Sequence, residues 1–320
     1  MSGAANRPVR VGALVWSQHT EWGELMRAGS RIEASGFDQL WSWDHLLPIA
    51  GPPAGPIFEP FMTLAGWAAV TSRVTLGPMV AANTFRNPAL LVKMITTLDH
   101  MSGGRAMLGL GAGWFEPEHR AFGIDLGSTV GERLGWLAEA AEVVRSLLDG
   151  RPTSASGPRY AVRELVNDPP PLQPRLPLLI GGAGERRTLA IVARYADAWN
   201  VGGEPEELRH KDAVLREWCE RIGREHSEIE RSTGIGTVLI RDSDAGAMRA
   251  AASLARHNAG WDDAPLCGSP ETVAERLAPI IEAGFRTLYV DFPAPFDEEK
   301  MARFVGEGKP ALEKVGTAGR

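Results

Sequence analysis

The chain has 320 residues, 44% of them apolar, with 34 Lys and Arg against 40 Asp and Glu for a net charge of −6. Such a length and apolar content suit one α/β domain spanning 1–320 with a large core. An acidic balance without a basic stripe argues against nucleic acid and against an anionic membrane surface as partners. Two distant cysteines, Cys219 and Cys267, read as reduced thiols of a cytoplasmic protein. The N-terminal apolar run is too short for a signal peptide. Only Glu59 is charged between Leu46 and Ser72, but Pro48, Pro52, Pro53, Pro56 and Pro60 exclude a membrane span there and predict a loop with a short buried helix.

Apolar, β-rich runs occur at 9–16, 37–43, 74–80, 105–111, 176–182, 197–203, 234–240 and 286–292. Helical patterns lie between them. One is framed by Leu25, Ile32 and Phe37 and stops at Gly36. A second ends at Gly103-Gly104, and a third runs from a Ser269-Pro270 cap to Gly284. The strands are near-continuously apolar, which implies a parallel sheet covered on both faces. Eight β-then-α units predict a closed (β/α)8 TIM barrel. Long connections at 47–59, 114–130 and 241–268, the last with a helix of its own, leave the C-terminal strand ends, where barrel active sites lie. Residues 150–175 follow a helix and are expected as a surface hairpin or arm toward the opposite rim.

"WSWDHLLP" (41–48) places Asp44 and His45 at the end of the second strand, where a histidine can move protons near neutral pH. "GLGAG" (109–113) lacks the G-x-G-x-x-G spacing and is followed by Trp-Phe-Glu-Pro rather than a helix. It reads as a barrel strand whose small residues let a flat ring lie on the backbone. Gly181-Gly182-Ala183-Gly184, feeding a helix with two arginines in its first turns, is a candidate phosphate site. Trp16, Ile49, Phe58, Phe85 and Trp114 are candidate walls of an apolar pocket. The histidines show no ligand spacing, so no metal is expected.

Four stretches carry a resemblance that spans about residues 9 to 292: "GFDQLWSWDHLLP", "TSRVTLGPMVAANTFRNPALLVKMITTLDHMSGGRAMLGLGAGWFEPEHRAFGI", "LLIGGAGERRTLAIVARYADAWN" and "GSPETVAERLAPIIEAGFRTLYVDF". Together they resemble the bacterial luciferase-like monooxygenase superfamily, in its branch of oxidoreductases that use the deazaflavin coenzyme F420. The resemblance implies a luciferase-like TIM barrel with insertion loops at the C-terminal rim, a homodimer, and a small-molecule substrate. It implies coenzyme F420, with FMN as the alternative cofactor of a monooxygenase and a catalytically silent flavin-binding barrel as a further alternative. Asp44 and His45 would lie beside the ring, with His45 as proton carrier and Asp44 fixing its orientation. A non-proline cis peptide at Met79–Val80 would form a bulge behind the ring. Gly111, Ala112 and Gly113 would border it. Gly181, Gly182, Ala183 and Gly184 would hold the phosphate, with Arg186 or Arg187 as charge partner. The sugar-phosphate dehydrogenases of this branch carry a carboxylate and a tryptophan where this chain has Trp114 and Ile49. A larger, less polar substrate is therefore expected, taking hydride from or giving it to the coenzyme.

Overall fold

The computed structural model describes residues 7–257 and 265–318. The chain begins with β1 (Arg10–Val15), α1 (Trp22–Ser35), β2 (Gln39–Ser42) and α2 (Pro60–Val70). There follow β3 (Thr75–Pro78), β4 (Ala81–Ala82), α3 (Pro88–Ser102), β5 (Leu108–Gly111), α4 (Glu116–Phe122) and α5 (Val130–Leu148). The middle holds β6 (Thr153–Ser156), β7 (Ala161–Leu165), β8 (Leu178–Gly181), α6 (Thr188–Tyr195), β9 (Ala198–Asn200) and α7 (Pro205–Ile222). The last part runs β10 (Glu230–Gly234), β11 (Val238–Ile240), α8 (Asp244–His257), β12 (Leu266–Gly268), α9 (Pro270–Glu282), β13 (Thr287–Phe292), α10 (Glu298–Arg303) and α11 (Lys309–Ala318). The helix starts follow their caps: Glu59, Asn87 and Ser269 each accept a backbone N–H of the first turn, with Pro60, Pro88 and Pro270 at the first helical position.

Nine strands pair in the order β3-β2-β1-β13-β10-β9-β8-β5-β4, all parallel. β3 and β4 are two halves of one stave, interrupted at the cis Met79–Val80 peptide. A parallel bridge between Leu76 and Ala106 joins β3 to the segment entering β5, so the sheet closes on itself. The eight staves and their helices form the expected (β/α)8 barrel. Successive side chains on a strand point to opposite faces, and the core divides accordingly. Leu14, Trp41, Met107, Leu179, Ala198 and Tyr289 form a small cluster inside the barrel. Their neighbours Ala13, Leu40, Leu108, Leu178, Trp199 and Leu288 join the large cluster beneath the helices.

Two predicted elements are displaced. The seventh stave is Glu230–Gly234, not 234–240. Its Arg231, Ser232 and Thr233 are buried but polar, so the apolar signal fell on the next segment. That segment, β11, pairs instead with β12 beside the barrel, and the connection containing α8 is correspondingly longer. Residues 258–264 of the predicted loop lie outside the described residues. The second displacement concerns α4, which starts where no helix was expected; Glu116-Pro117 opens it and Gly123 ends it.

Residues 150–175 form the expected hairpin, β6 against β7. Its return leg runs along α3, with Asn167 on Thr96 and His100 on the Pro170 carbonyl. Its base lies on the opposite rim, where Arg175 meets Asp149 and Asp197. Its tip, however, reaches back toward the C-terminal rim. The Tyr160 hydroxyl donates to the Asn83 backbone and side-chain oxygens at 2.5 and 2.7 Å, and Arg159 pairs with Asp125.

Glu33 of α1 ties that helix to the entrance of the third stave. Its carboxylate accepts the backbone N–H groups of Ser72, Arg73 and Val74 at 2.6–3.0 Å. Partial burial opposes its charge, but the N–H groups of Val74, Arg73 and Ser72 and the Ser72 hydroxyl outweigh it and lower its pKa to about 2. A depressed carboxylate contributes stability above its unfolded pKa and loses that contribution as pH falls toward 2. After discounting for solvent, Glu33→Gln should destabilise the protein by about 1–2 kcal/mol at pH 7. The deficit should shrink progressively below pH 4.5. Urea unfolding of both proteins at pH 7 and pH 3 checks this; an equal deficit at both values would contradict it.

Candidate active site

The C-terminal ends of the staves surround a cavity of about 470 Å³. Asp44, His45, Ile49, Met79, Val80, Gly111, Ala112, Gly113, Trp114, Gly181 and Gly182 all line it. Sequence reasoning missed Trp43, Ala82, Glu118, Leu134, Thr188 and Asn200, which complete the wall.

His45 is held by Glu118, not by Asp44. Its Nδ1 lies 2.9 Å from Glu118 Oε1, and the other carboxylate oxygen accepts the Leu46 N–H at 2.7 Å. Glu118 is 1% exposed, and these two contacts hold its carboxyl group at the cavity wall. The arrangement leaves His45 Nε2 without a protein partner on a ring that lines the cavity. Trp114, Phe115 and Trp43 stand edge-on to the ring at 5.6, 6.0 and 6.4 Å. The next residue, His119, points away and bonds Thr84 Oγ1 at 2.7 Å and the Phe115 carbonyl at 2.8 Å. The proline of "FEPEH" signals the start of the helix that carries Glu118. Reading the segment as a loop concealed which side chains share a face.

Asp44 has a different role. Its Oδ2 accepts the Ala82 N–H at 2.8 Å and Arg86 Nη1 at 2.7 Å. Arg86 also reaches Glu59 at 2.8 Å and lies 4.6 Å above the Phe61 ring. Burial pushes the Asp44 carboxyl up from the usual carboxylate range, while the Arg86 charge opposes it. Asp44 Oδ1 is buried with no hydrogen-bond partner although the residue lines the cavity. Such an orphaned acceptor invites a ligand N–H or O–H.

The candidate phosphate turn divides into used and unused groups. Gly182 adopts φ +129° and commits its N–H to the Asn200 carbonyl at 3.0 Å. Among the described residues, the N–H groups of Ala183, Gly184, Glu185 and Arg186 find no hydrogen-bond partner. Glu185 anchors the turn to α7 through His210 at 3.1 Å and Lys211 at 2.8 Å. Both arginines precede α6 rather than sitting in its first turns, with Arg187 as its N-cap residue. Arg187 bonds the Gly131 carbonyl at 2.5 Å; Arg186 is exposed and makes no side-chain bond. Ala183, Gly184 and Arg186 lie at the rim outside the cavity lining.

The remaining predicted walls fall behind the first layer. Trp16 is buried and packs on Trp43 with ring centres 4.5 Å apart. Phe58 packs on Trp22, and Phe85 on His119 at 4.9 Å. Trp114, by contrast, is 61% exposed at the cavity mouth.

The chain resembles known proteins in sequence and in fold. An uncharacterised Mycobacterium tuberculosis protein is 36% identical over 214 residues, covering 62% of this chain and 74% of its own length. An F420-dependent glucose-6-phosphate dehydrogenase from Kribbella flavida is 26% identical over 344 residues, covering 96% of this chain and 99% of its own. In three dimensions, an F420-dependent secondary alcohol dehydrogenase solved with an F420–acetone adduct superposes with a TM-score of 0.80. It is 19% identical and covers 96% of this chain and 99% of its own, a likeness of fold. The model of the luciferase-like monooxygenase family matches residues 8–260, and the chain belongs to that family.

Proposed function

We propose that the protein is a coenzyme F420-dependent oxidoreductase acting on an uncharged, largely apolar organic substrate. The observation that carries this reading is the Glu118-held His45 on the wall of an apolar cavity. The names of the F420-dependent relatives support the choice of coenzyme. The site also suits a flat, polar-edged ring. Gly111, Gly181 and Gly182 present backbone rather than side chains, and the buried Asp44 Oδ1 lacks a donor. The N–H groups of Ala183, Gly184 and Glu185 would hold a phosphate, with the charge of Arg186 nearby. Bound there, the deazaflavin supplies or accepts the hydride.

The chain's own residues handle the rest. Reduction of a carbonyl or conjugated double bond takes a hydride at one atom and a proton at its neighbour. With Glu118 ionised, the Nδ1–H of His45 donates to it, and Nε2 takes up or releases the substrate proton. Glu118 positions the ring and stabilises the imidazolium form. Trp43, Ile49, Trp114 and Leu134 exclude water. Among the described residues no lysine or arginine lines the cavity, so nothing there would neutralise a substrate phosphate.

Four experiments test this reading. Titration with oxidised F420 and with FMN, followed by fluorescence, should give saturable binding of F420 and much weaker binding of FMN; the reverse order overturns the assignment. His45→Ala should lower kcat by about 10²–10⁴ with little change in coenzyme affinity. Glu118→Gln should lower kcat by about 10- to 100-fold, the worth of a hydrogen bond to a charged group, and displace the pH–rate profile. Lastly, a Cβ at Gly111 would meet Val80 Cγ2 at 2.5 Å. Gly111→Ala should therefore weaken coenzyme binding by about 1–3 kcal/mol; unchanged affinity would remove Gly111 from the ring site.

A further inference from the structure

The opposite end of the barrel holds a second constellation. Arg7, Arg10, Arg231 and Arg286 line a cavity of about 300 Å³ whose only lining carboxylate, among the described residues, is Glu230. Four guanidinium groups gather there in a chain of net charge −6. Arg10 and Glu230 begin β1 and β10, and Arg286 directly precedes β13. Six residues of β1 at about 3.3 Å each separate this cavity from the catalytic mouth by about 20 Å.

Two of these guanidinium groups, Arg7 and Arg10, share one carboxylate. Glu230 Oε2 lies 3.1 Å from Arg10 Nη1 and 3.7 Å from Arg7 Nη1, while Oε1 accepts the Thr287 hydroxyl at 2.6 Å. Arg7 Nη2 bonds the Ser227 and Glu228 carbonyls at 2.9 and 3.3 Å. Arg231 has a side chain only 4% exposed. Its Nη1 bonds the Ile229 and His226 carbonyls at 2.8 and 3.2 Å, and its Nε lies 3.3 Å from Asp212. Among the described residues, the Nη2 groups of Arg231 and Arg10 have no hydrogen-bond partner. Arg231, the buried one of the two, would normally use more of its five donors. Planar, paired N–H donors match the oxygen spacing of a phosphate.

We propose that this cavity is a phosphate-class anion site, held by the Nη2 edges of Arg10 and Arg231 and by the charge of Arg7. A volume of about 300 Å³ suits a small oxyanion rather than a flavin-sized ligand. Glu230 competes with that anion for Arg10 and Arg7.

Calorimetric titration of the full-length protein in low-salt buffer tests the site, with inorganic phosphate and glycerol 3-phosphate as separate probes. Saturable binding of the first alone identifies free phosphate as the ligand, and of the second alone or more tightly, a phosphate ester. Arg10→Ala should weaken the binding at least tenfold, and Glu230→Gln should strengthen it. Neither should alter F420 affinity, because both residues lie at the far end of the barrel. Failure of both probes to saturate, or unchanged binding in Arg10→Ala, overturns the proposal. Should Arg10→Ala fail to fold, Glu230→Gln decides: tighter binding supports the site, and unchanged or weaker binding overturns it.

Discussion

Much of this structure depends on the close approach of the third stave to the fourth and fifth. A Cβ on Gly109 would lie 2.2 Å from the Pro78 carbonyl oxygen, and one on Gly111 would lie 2.5 Å from Val80 Cγ2. Real side chains cannot occupy such positions, so the strand ends must be glycine for the bulge at 79–80 to enter the barrel mouth. Val80 then occupies the volume those side chains would have filled. It also comes within 3.2 Å of the position a Gly181 Cβ would take. The floor of the candidate site is thus assembled from backbone on three adjacent staves. A flat ring needs such a floor, because projecting side chains would hold it away.

A charge network fixes the side walls around that floor. Asp44, Arg86 and Glu59 join the end of β2, the loop after β4 and the cap of α2. Removing one member would leave a buried charge without its counterion, which costs far more than an exposed pair contributes. The Glu118–His45 pair joins the same β2 end to α4. Two neighbouring residues, Asp44 and His45, are therefore anchored by different partners on different elements. That separation lets Asp44 stiffen the rim while His45, among the described residues, keeps Nε2 without a partner at the cavity.

The hairpin at 153–165 extends this logic outward. Tyr160 is buried, its phenol is pushed up to about 12 by that burial, and its hydroxyl donates to both oxygens of Asn83. Asn83 in turn donates its N–H to the Gly111 carbonyl at 2.9 Å. A surface arm is thereby coupled, through one residue, to the strand that floors the cavity.

Local signals accounted for a large share of the molecule. The barrel followed from alternating strand and helix periods, and the helix caps at Asn87 and Ser269 from short-range chemistry. Asp44, His45, Gly111 and Gly181 were legible because strand-end positions are defined by the chain itself. The seventh stave was not legible, since Arg231, Ser232 and Thr233 are buried through hydrogen bonds rather than apolar side chains, and hydrophobic periodicity cannot register that. Nor was the partner of His45. Glu118 lies 73 residues away, and its contact depends on how α4 folds back over the end of β2. Phe85 shows the converse: its aromatic character announced a pocket wall, yet packing turned it toward His119. Residue type and spacing determined the fold and the face that carries the chemistry. Which side chains meet there was decided by tertiary packing, because hydrogen bonds between distant elements depend on distances that no local pattern encodes.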